Sequence, residues 1–146
     1  MKTNFVLFSI EGGTYGIDIN NITSIEKVSE TTPTPQMPDY MLGIVSIRDQ
    51  VMPIIDCKKL TFNQSSNIDE NSRYIIIDTD KTTIALMVES TNEIINFDTS
   101  LIKPISLLES NSKTNFIQGV ALLENRIISV ININELISSI DMTEIG

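Results

Sequence analysis

Hydrophobic and polar positions alternate over short stretches of the chain, which is the pattern of strands that bury one face. Residues 4–10 and 15–19 alternate in this way on either side of a glycine-containing turn at 11–14, so they predict a first β-hairpin. Residues 22–28 instead space their apolar side chains three apart, which predicts either a short helical turn or a bent strand. The beginning of the chain is therefore expected to be mostly β structure.

A second hairpin is predicted after a connector that holds three prolines between positions 33 and 38. Proline fixes φ and biases the residue before it away from helix, so this connector is expected to be extended. Residues 44–47 and 51–55 then form two strands, with a two-residue tip at Asp49-Gln50. The polar stretch 63–72 follows and is typical of a surface linker between two halves.

The two halves of the chain repeat each other. Residues 74–88 repeat the first hairpin at an offset of 69, which aligns Phe5 with Tyr74, Ile17 with Leu86 and Ile25 with Ile94. Residues 43–60 match residues 119–136 without a gap at an offset of 76. The chain is therefore interpreted as a duplicated unit of two hairpins.

Two copies of such a unit imply two small β-barrels or curled sheets. Each would hold about 70 residues, a size at which burial is marginal, so we expect the two to pack on each other. The chain is thus predicted to be one domain, 1–146, built of two intertwined barrel-like subdomains with repeat units near 4–60 and 73–142. Closing each sheet would also remove free strand edges. The groove between the halves is the expected binding surface.

Several residues recur at equivalent places in the two copies. Asp56 and Asn132 each follow the second hairpin, where a side-chain oxygen can accept hydrogen bonds from the free N–H groups of a short helix. Residues 134–142 place their apolar side chains on one face and predict a longer C-terminal helix. Gly43 and Gly119 are predicted to be bends at which a Cβ atom would clash.

Composition and charge exclude several classes of function. The chain has no histidine, which excludes imidazole catalysis and imidazole metal sites, and one cysteine cannot form an internal disulfide. A net charge of -9 disfavours binding to nucleic acids or to anionic membranes. No apolar stretch approaches the roughly 18 residues that a membrane span needs. We therefore expect a cytoplasmic protein that does not insert into the membrane.

Few side chains indicate chemistry of their own. Asp78 and Asp80 could share a cation, but the glycine and glutamate of a calcium-binding loop are missing, so we predict no metal and no cofactor. Cys57 lies beside two lysines, yet ordinary packing of a small thiol is the favoured interpretation. Arg48 stands next to a tight turn and is equally compatible with structural pairing and with recognition of a partner.

The spacing of Gly43, Arg48, Pro53 and Asp56 resembles that of the CheW family of bacterial chemotaxis coupling proteins. The proline-rich connector and the closing segment at 119–136 agree with this resemblance, which covers nearly the whole chain. It implies two five-stranded β-barrels, of the SH3-like or OB-like kind, around a shared hydrophobic core. It also implies that the protein has no enzymatic activity.

What the resemblance implies for function is an adaptor. It would link the cytoplasmic tips of chemoreceptors to the regulatory domain of the histidine kinase CheA. Carried over position by position, the residues associated with partner binding are Ile22, Gly43, Arg48 and Gly119, with Val51 and Met52 as neighbouring candidates.

This sequence departs from the family pattern around the arginine. Asp49 stands where glycine usually follows, and because Asp tolerates positive φ at a cost of about 1 kcal/mol, the hairpin is expected to survive with a shifted tip. Ser24 stands where an acidic residue is common, so a familiar partner of Arg48 is missing and Glu26 is the candidate replacement.

Two alternatives remain open at the level of sequence. One keeps the fold but assigns the adaptor to pilus motility or to another chemosensory-like pathway. The other is an oligonucleotide-binding type of barrel, which would need a basic groove with stacking aromatic residues. The chain is strongly acidic and only 5% aromatic, which disfavours the second alternative.

Overall fold

The computed structural model describes residues 1–80, 82–104 and 116–140. Within these ranges the chain is mostly β, as the sequence predicts. The strands are β1 (Lys2–Ile10), β2 (Gly13–Asp18), β3 (Ser24–Lys27), β4 (Met41–Ile47), β5 (Gln50–Asp56), β6 (Arg73–Asp78), β7 (Thr83–Val88), β8 (Ser90–Asp98), β9 (Ile117–Leu123) and β10 (Arg126–Ile131). The helical elements are α1 (Cys57–Phe62), α2 (Ile133–Ser138) and two 3₁₀ turns, Ile19–Asn21 and Thr99–Leu101. In the described part of the chain, no helix is long and apolar enough to cross a membrane.

The strands form two five-stranded sheets, in the orders β8-β1-β2-β10-β9 and β3-β6-β7-β5-β4. Among the described residues each order has two ends, so neither sheet is closed and the prediction of two β-barrels is wrong in this respect. The physical reason lies in the end strands. β3 has only four residues, and within the described ranges the outer edges of β4 and β9 are each met by a single β-bridge instead of a further strand.

Each sheet combines strands from both sequence repeats. The hairpin β1–β2 of the first repeat shares its sheet with β8, β9 and β10 of the second, and the hairpin β6–β7 shares its sheet with β3, β4 and β5. The compact units therefore differ from the sequence halves. Of the described residues, one unit contains 1–21, 91–104 and 116–140 and is called the terminal unit here; the other contains 22–80 and 82–90 and is called the central unit.

The strand registers of the two units coincide at the offsets found in the sequence. Phe5 lies opposite Asp18 in β1–β2, and Tyr74 lies opposite Met87 in β6–β7, 69 residues further along. The pairings of β4–β5 recur in β9–β10 at the offset of 76, including the irregularity at the open end of each hairpin. Equivalent residues in the two units therefore occupy equivalent positions in their sheets.

The tip of the β4–β5 hairpin lies one residue earlier than predicted. Ile47 pairs with Gln50, so the two residues of the turn are Arg48 and Asp49. Both have positive φ, 53° and 65°, as in the two-residue turns whose twist matches that of the flanking strands. The expectation that Asp49 would accept positive φ is confirmed.

Two other segments also differ in detail from the predictions. Of the two alternatives for residues 22–28, the strand is observed, as β3. The predicted C-terminal helix at 134–142 is shorter, because α2 ends at Ser138 and the Ser139 N–H already donates to carbonyls of the last turn. Residues 141 and 142 of that prediction lie outside the described part of the chain.

Each unit has its own hydrophobic cluster. The central unit buries Val45, Met52, Ile54, Tyr74, Ile76, Ala85 and Met87. The terminal unit buries Phe5, Leu7, Phe97, Ala121, Ile128 and Val130. Most of these positions correspond at an offset of 69 or 76, so the repeat seen in the sequence reflects a repeated core.

Candidate partner-binding surface

The β4–β5 hairpin presents Arg48 at its tip. Positive φ at both turn residues directs the chain back into β5, and the Arg48 side chain remains 77% exposed. A guanidinium group with this exposure can donate several N–H bonds to a carboxylate or carbonyl group of another protein. Arg48 is therefore available to a partner in the conformation that the structure describes.

Glu26 on β3 is the charged neighbour of Arg48, as the sequence suggested. The Nη2 atom of Arg48 lies 3.1 Å from the Oε2 atom of Glu26, whose side chain is only 20% exposed. An ion pair with one exposed member contributes only about 0–1 kcal/mol to stability. The pair therefore orients the arginine more than it stabilises the fold.

The contact between these two side chains is a charge interaction more than a directed hydrogen bond. Oε2 of Glu26 is inaccessible to solvent and has no hydrogen bond of acceptable geometry, although Arg48 is within ion-pair distance. A buried acceptor without a well-aligned donor is costly, but an atom closed to solvent cannot be reached by a donor of another protein. The hydrogen-bonding groups open to a partner beside the hairpin tip are therefore the N–H groups of Arg48.

The position of Glu26 is unusual for the repeat. At the offset of 69 it corresponds to Ile95, which packs against the hydrophobic cluster of the terminal unit. The terminal unit has its own ion pair between Glu93 on β8 and Arg126 on β10, with both partners at least one-third exposed. A carboxylate at the apolar position is therefore a feature of the central unit that the common framework does not require.

The other predicted site residues of the central unit differ in exposure. Val51 follows the tip on β5 and is 62% exposed, whereas Met52 is 2% exposed and belongs to the hydrophobic cluster. Ile22 is partly buried between the 3₁₀ turn and β3. Met52 offers no surface to a partner in this conformation, so the candidate surface consists of Arg48, Val51 and Glu26.

Gly43 and Gly119 are both buried. A Cβ atom on Gly43 would lie 2.4 Å from the Thr32 carbonyl oxygen, and one on Gly119 would lie 2.6 Å from that of Lys103. The prediction that a Cβ would clash at these two positions is confirmed. Gly119 lies in the terminal unit, while the other five predicted residues lie in the central unit.

Several exposed apolar residues were not predicted as site residues. Ile94 is 58% exposed, and Leu122 and Ile127, which lie opposite each other in β9–β10, are 68% and 65% exposed. The repeat contained a signal for two of them, because Ile94 corresponds to Ile25 and Ile127 to Val51, both also exposed. An apolar residue at the same position of both copies, outside the hydrophobic clusters, could have indicated Ile94 and Ile127 as exposed apolar residues.

The polar and nucleophilic candidates serve the fold. Asp56 is buried and caps α1 by accepting from the backbone N–H groups of Lys58 and Lys59, as predicted. Cys57 is fully buried, and burial raises the pKa of its thiol, so it packs as an apolar side chain. Asp78 accepts a hydrogen bond from the Thr83 hydroxyl. Over the described ranges no group of three or more metal-ligating side chains is found.

Comparison with known proteins identifies the family. A family model described as the CheW-like domain matches residues 4–141. The chain belongs to the CheW family. The chemotaxis protein CheW of Klebsiella aerogenes is 25% identical over 138 residues, which cover 94% of this chain and 83% of that protein. The CheW of Bacillus subtilis is 26% identical over 132 residues, covering 90% and 85%.

A solved structure of the same family agrees with the fold. The crystal structure of the scaffolding protein TtCheW from Thermoanaerobacter tengcongensis has a TM-score of 0.79 and 28% identity, and the match covers 90% of this chain and 84% of that one. Family and fold together confirm the predicted role as a scaffold of chemotaxis signalling. They give no support to the pilus-motility or oligonucleotide-binding alternatives.

Proposed function

We propose that this chain couples the cytoplasmic tips of chemoreceptors to the regulatory domain of the histidine kinase CheA. The observation that carries the proposal is the exposed Arg48 at the β4–β5 tip, paired with the poorly satisfied Glu26 and followed by the exposed Val51. An exposed apolar side chain next in sequence to a turn with an exposed guanidinium group suits recognition of another protein.

The proposed role is to transmit an arrangement between proteins without chemistry. Coupling of this kind requires that the state of the receptor change the free energy of the kinase arrangement, typically by about 1–3 kcal/mol. Such energies are within reach of a small surface with one arginine and one or two apolar contacts. Membership of a family of chemotaxis scaffolds supports this role and the absence of enzymatic activity in it.

The proposal also includes the placement and extent of the protein. We place it in the cytoplasm, where the tips of chemoreceptors are found, and we treat 1–146 as a single CheW-like domain. The match of the family model to residues 4–141 supports this extent.

Arg48→Glu tests the proposal. The substitution reverses the exposed charge and adds repulsion with Glu26, so we expect retention on an immobilised receptor tip to fall at least about tenfold, or ~1.4 kcal/mol. The measurement is a pull-down with the receptor tip and, separately, with the regulatory domain of CheA. A thermal melt of each variant checks that the fold is intact.

Arg126→Glu is the matched control. It reverses the arginine that pairs with Glu93 in the terminal unit, so it changes the net charge by the same amount. We expect this variant to keep its binding to the receptor tip. Unchanged binding of a folded Arg48→Glu protein to both baits would remove Arg48 from the proposed surface. An equal loss of binding in Arg48→Glu and Arg126→Glu would show that the loss comes from the change in net charge and not from the position of Arg48.

A further inference from the structure

The outer edge of each sheet is covered at one point by a segment of the preceding connector. Thr32 and Ile44 exchange two backbone hydrogen bonds, of 2.9 and 2.8 Å, at the edge of β4. Lys103 and Val120 exchange two bonds of 2.8 and 2.9 Å at the edge of β9. Ile44 and Val120 are equivalent at the offset of 76, so both units have the same arrangement.

The residue after each bridge explains why the pairing stops there. Pro33 follows Thr32, and Pro104 follows Lys103. Proline favours an extended conformation in the residue before it, which the bridge requires, and has no N–H group with which to continue a ladder. An X-Pro dipeptide therefore covers a strand edge at one residue and ends there. We call Thr32-Pro33 and Lys103-Pro104 the edge guards.

A glycine on the strand makes room for each guard. Gly43 precedes Ile44 and Gly119 precedes Val120, and a Cβ on either glycine would lie 2.4–2.6 Å from the carbonyl oxygen of the guard residue. A distance below 3.0 Å to a backbone atom forces the guard or the strand to move. The glycine and the single bridge therefore depend on each other, and neither glycine has surface to offer a partner.

Without its guard, each of these edges would be open. β4 and β9 stand at the ends of their strand orders, and over the described ranges the guards are the segments that meet their outer edges. A free edge exposes N–H and C=O groups that pair readily with another strand. The neighbouring strand residues are apolar, as in Ile44 and Val120, and such edges favour pairing between identical chains.

We propose that the edge guards keep β4 and β9 from pairing with a second copy of this chain. Gly43 and Gly119 are then positioning residues: they make room for the edge guards and do not touch a partner. Any effect of these glycines on assembly with receptor and kinase rests on the proposed function, whereas the protection of the strand edges does not.

Gly119→Ala tests the proposal with a single added atom. Gly119 does not have positive φ, so alanine adds the clash with Lys103 without backbone strain, whereas Gly43 has a φ of 142°. We expect amide hydrogen exchange at Lys103 and Val120 to speed up by roughly fivefold or more, which corresponds to the loss of about one hydrogen bond. The amides of Thr32 and Ile44 serve as internal controls and should not change. Sedimentation at rising protein concentration should show more large species than the unchanged chain.

Lys103→Pro is a second variant that adds nothing at the glycine. It removes the N–H that donates to Val120, and Ile102 before it is already extended, with φ -80° and ψ 115°. Lys103→Ala keeps the N–H and should behave like the unchanged chain.

Local opening with self-association in Gly119→Ala or Lys103→Pro supports the proposal. Unchanged exchange at Val120, acceleration that also extends to the Thr32 and Ile44 amides, or an opened chain that does not self-associate overturns it. None of these readouts requires receptor or kinase, so their result is independent of the proposed function.

Discussion

The two units share one backbone plan and fill it with different side chains. Strand order, hairpin registers and edge bridges all correspond. Inside, the terminal unit has smaller residues at matching places, with Ala121 for Val45 and Val130 for Ile54. It compensates with Phe97, which occupies the place of Val28 and stacks on Phe5. The comparison teaches that the hydrogen-bonded framework fixes positions, while total core volume is balanced within each unit.

The units differ most where they meet solvent. The central hairpin has Arg48-Asp49 at its tip, and the terminal hairpin has Glu124-Asn125, each with positive φ at both residues. The first residue of this turn thus has opposite charge in the two units, positive at Arg48 and negative at Glu124. Side chains outside the cores are free of the common framework, and partner recognition is expected to distinguish the units there.

The largest expected effect tests the equivalence of the cores. Met52 and Ile128 occupy the same position at the offset of 76 and are both buried in their clusters. Met52→Ala and Ile128→Ala should each lower the free energy of unfolding by about 2–5 kcal/mol, because each removes packed methylene groups and leaves a cavity. Urea unfolding of both variants measures the loss. A small cost for Met52→Ala combined with loss of receptor binding would contradict its place in the core and return it to the site.

A smaller effect should separate the two helix caps. Asp56 accepts from Lys58 and Lys59 and also from the Ser66 N–H and hydroxyl, and it is buried, whereas Asn132 accepts from the Glu135 N–H alone in the structure described. Asp56→Ala should therefore cost about 2–3 kcal/mol, since buried donors lose their partner. Asn132→Ala should cost about 1 kcal/mol, the ordinary value for a cap. Equal shifts of the two unfolding midpoints would show that the bonds from Ser66 add nothing.

The duplicated framework was largely accessible from the sequence, because its determinants are local. Alternation of apolar side chains indicated the strands, and the offsets of 69 and 76 predicted which positions would be equivalent. The caps Asp56 and Asn132 were predicted because the oxygen of a polar side chain directly after a strand can accept from the free N–H groups of a following helix. Two intertwined subdomains were predicted, but not which hairpins they exchange, since β5–β7 and β10–β2 pairing involves residues distant in sequence.

The candidate site was predictable only in part. The ion pair of Arg48 with Glu26 was predicted correctly, while the role of Arg48 in partner binding stays a prediction. Met52 could not be told from Val51 by proximity, since neighbours on a strand face opposite sides. The roles of Thr32 and Lys103 were also missed, although each precedes a proline and each faces a glycine of the repeat.

The smallest expected effect concerns a charge that the terminal unit has and the central unit lacks. Asp98 corresponds to Ser29 at the offset of 69. Hydrogen bonds from the Ser100 N–H and hydroxyl, together with the amino group of Met1, lower the pKa of Asp98 from 3.8 to about 2. Because the pKa is lowered by folding, the stabilising contribution is fully present above pH 3.8 and is lost as the pH falls through about 2. We expect the Asp98 carboxyl carbon, followed by NMR, to titrate near pH 2, and Asp98→Asn to remove this part of the acid sensitivity. A midpoint near 3.8 in the folded protein would mean that the N–H groups of the 3₁₀ turn are not held by this carboxylate, and the two units would then not differ in this respect.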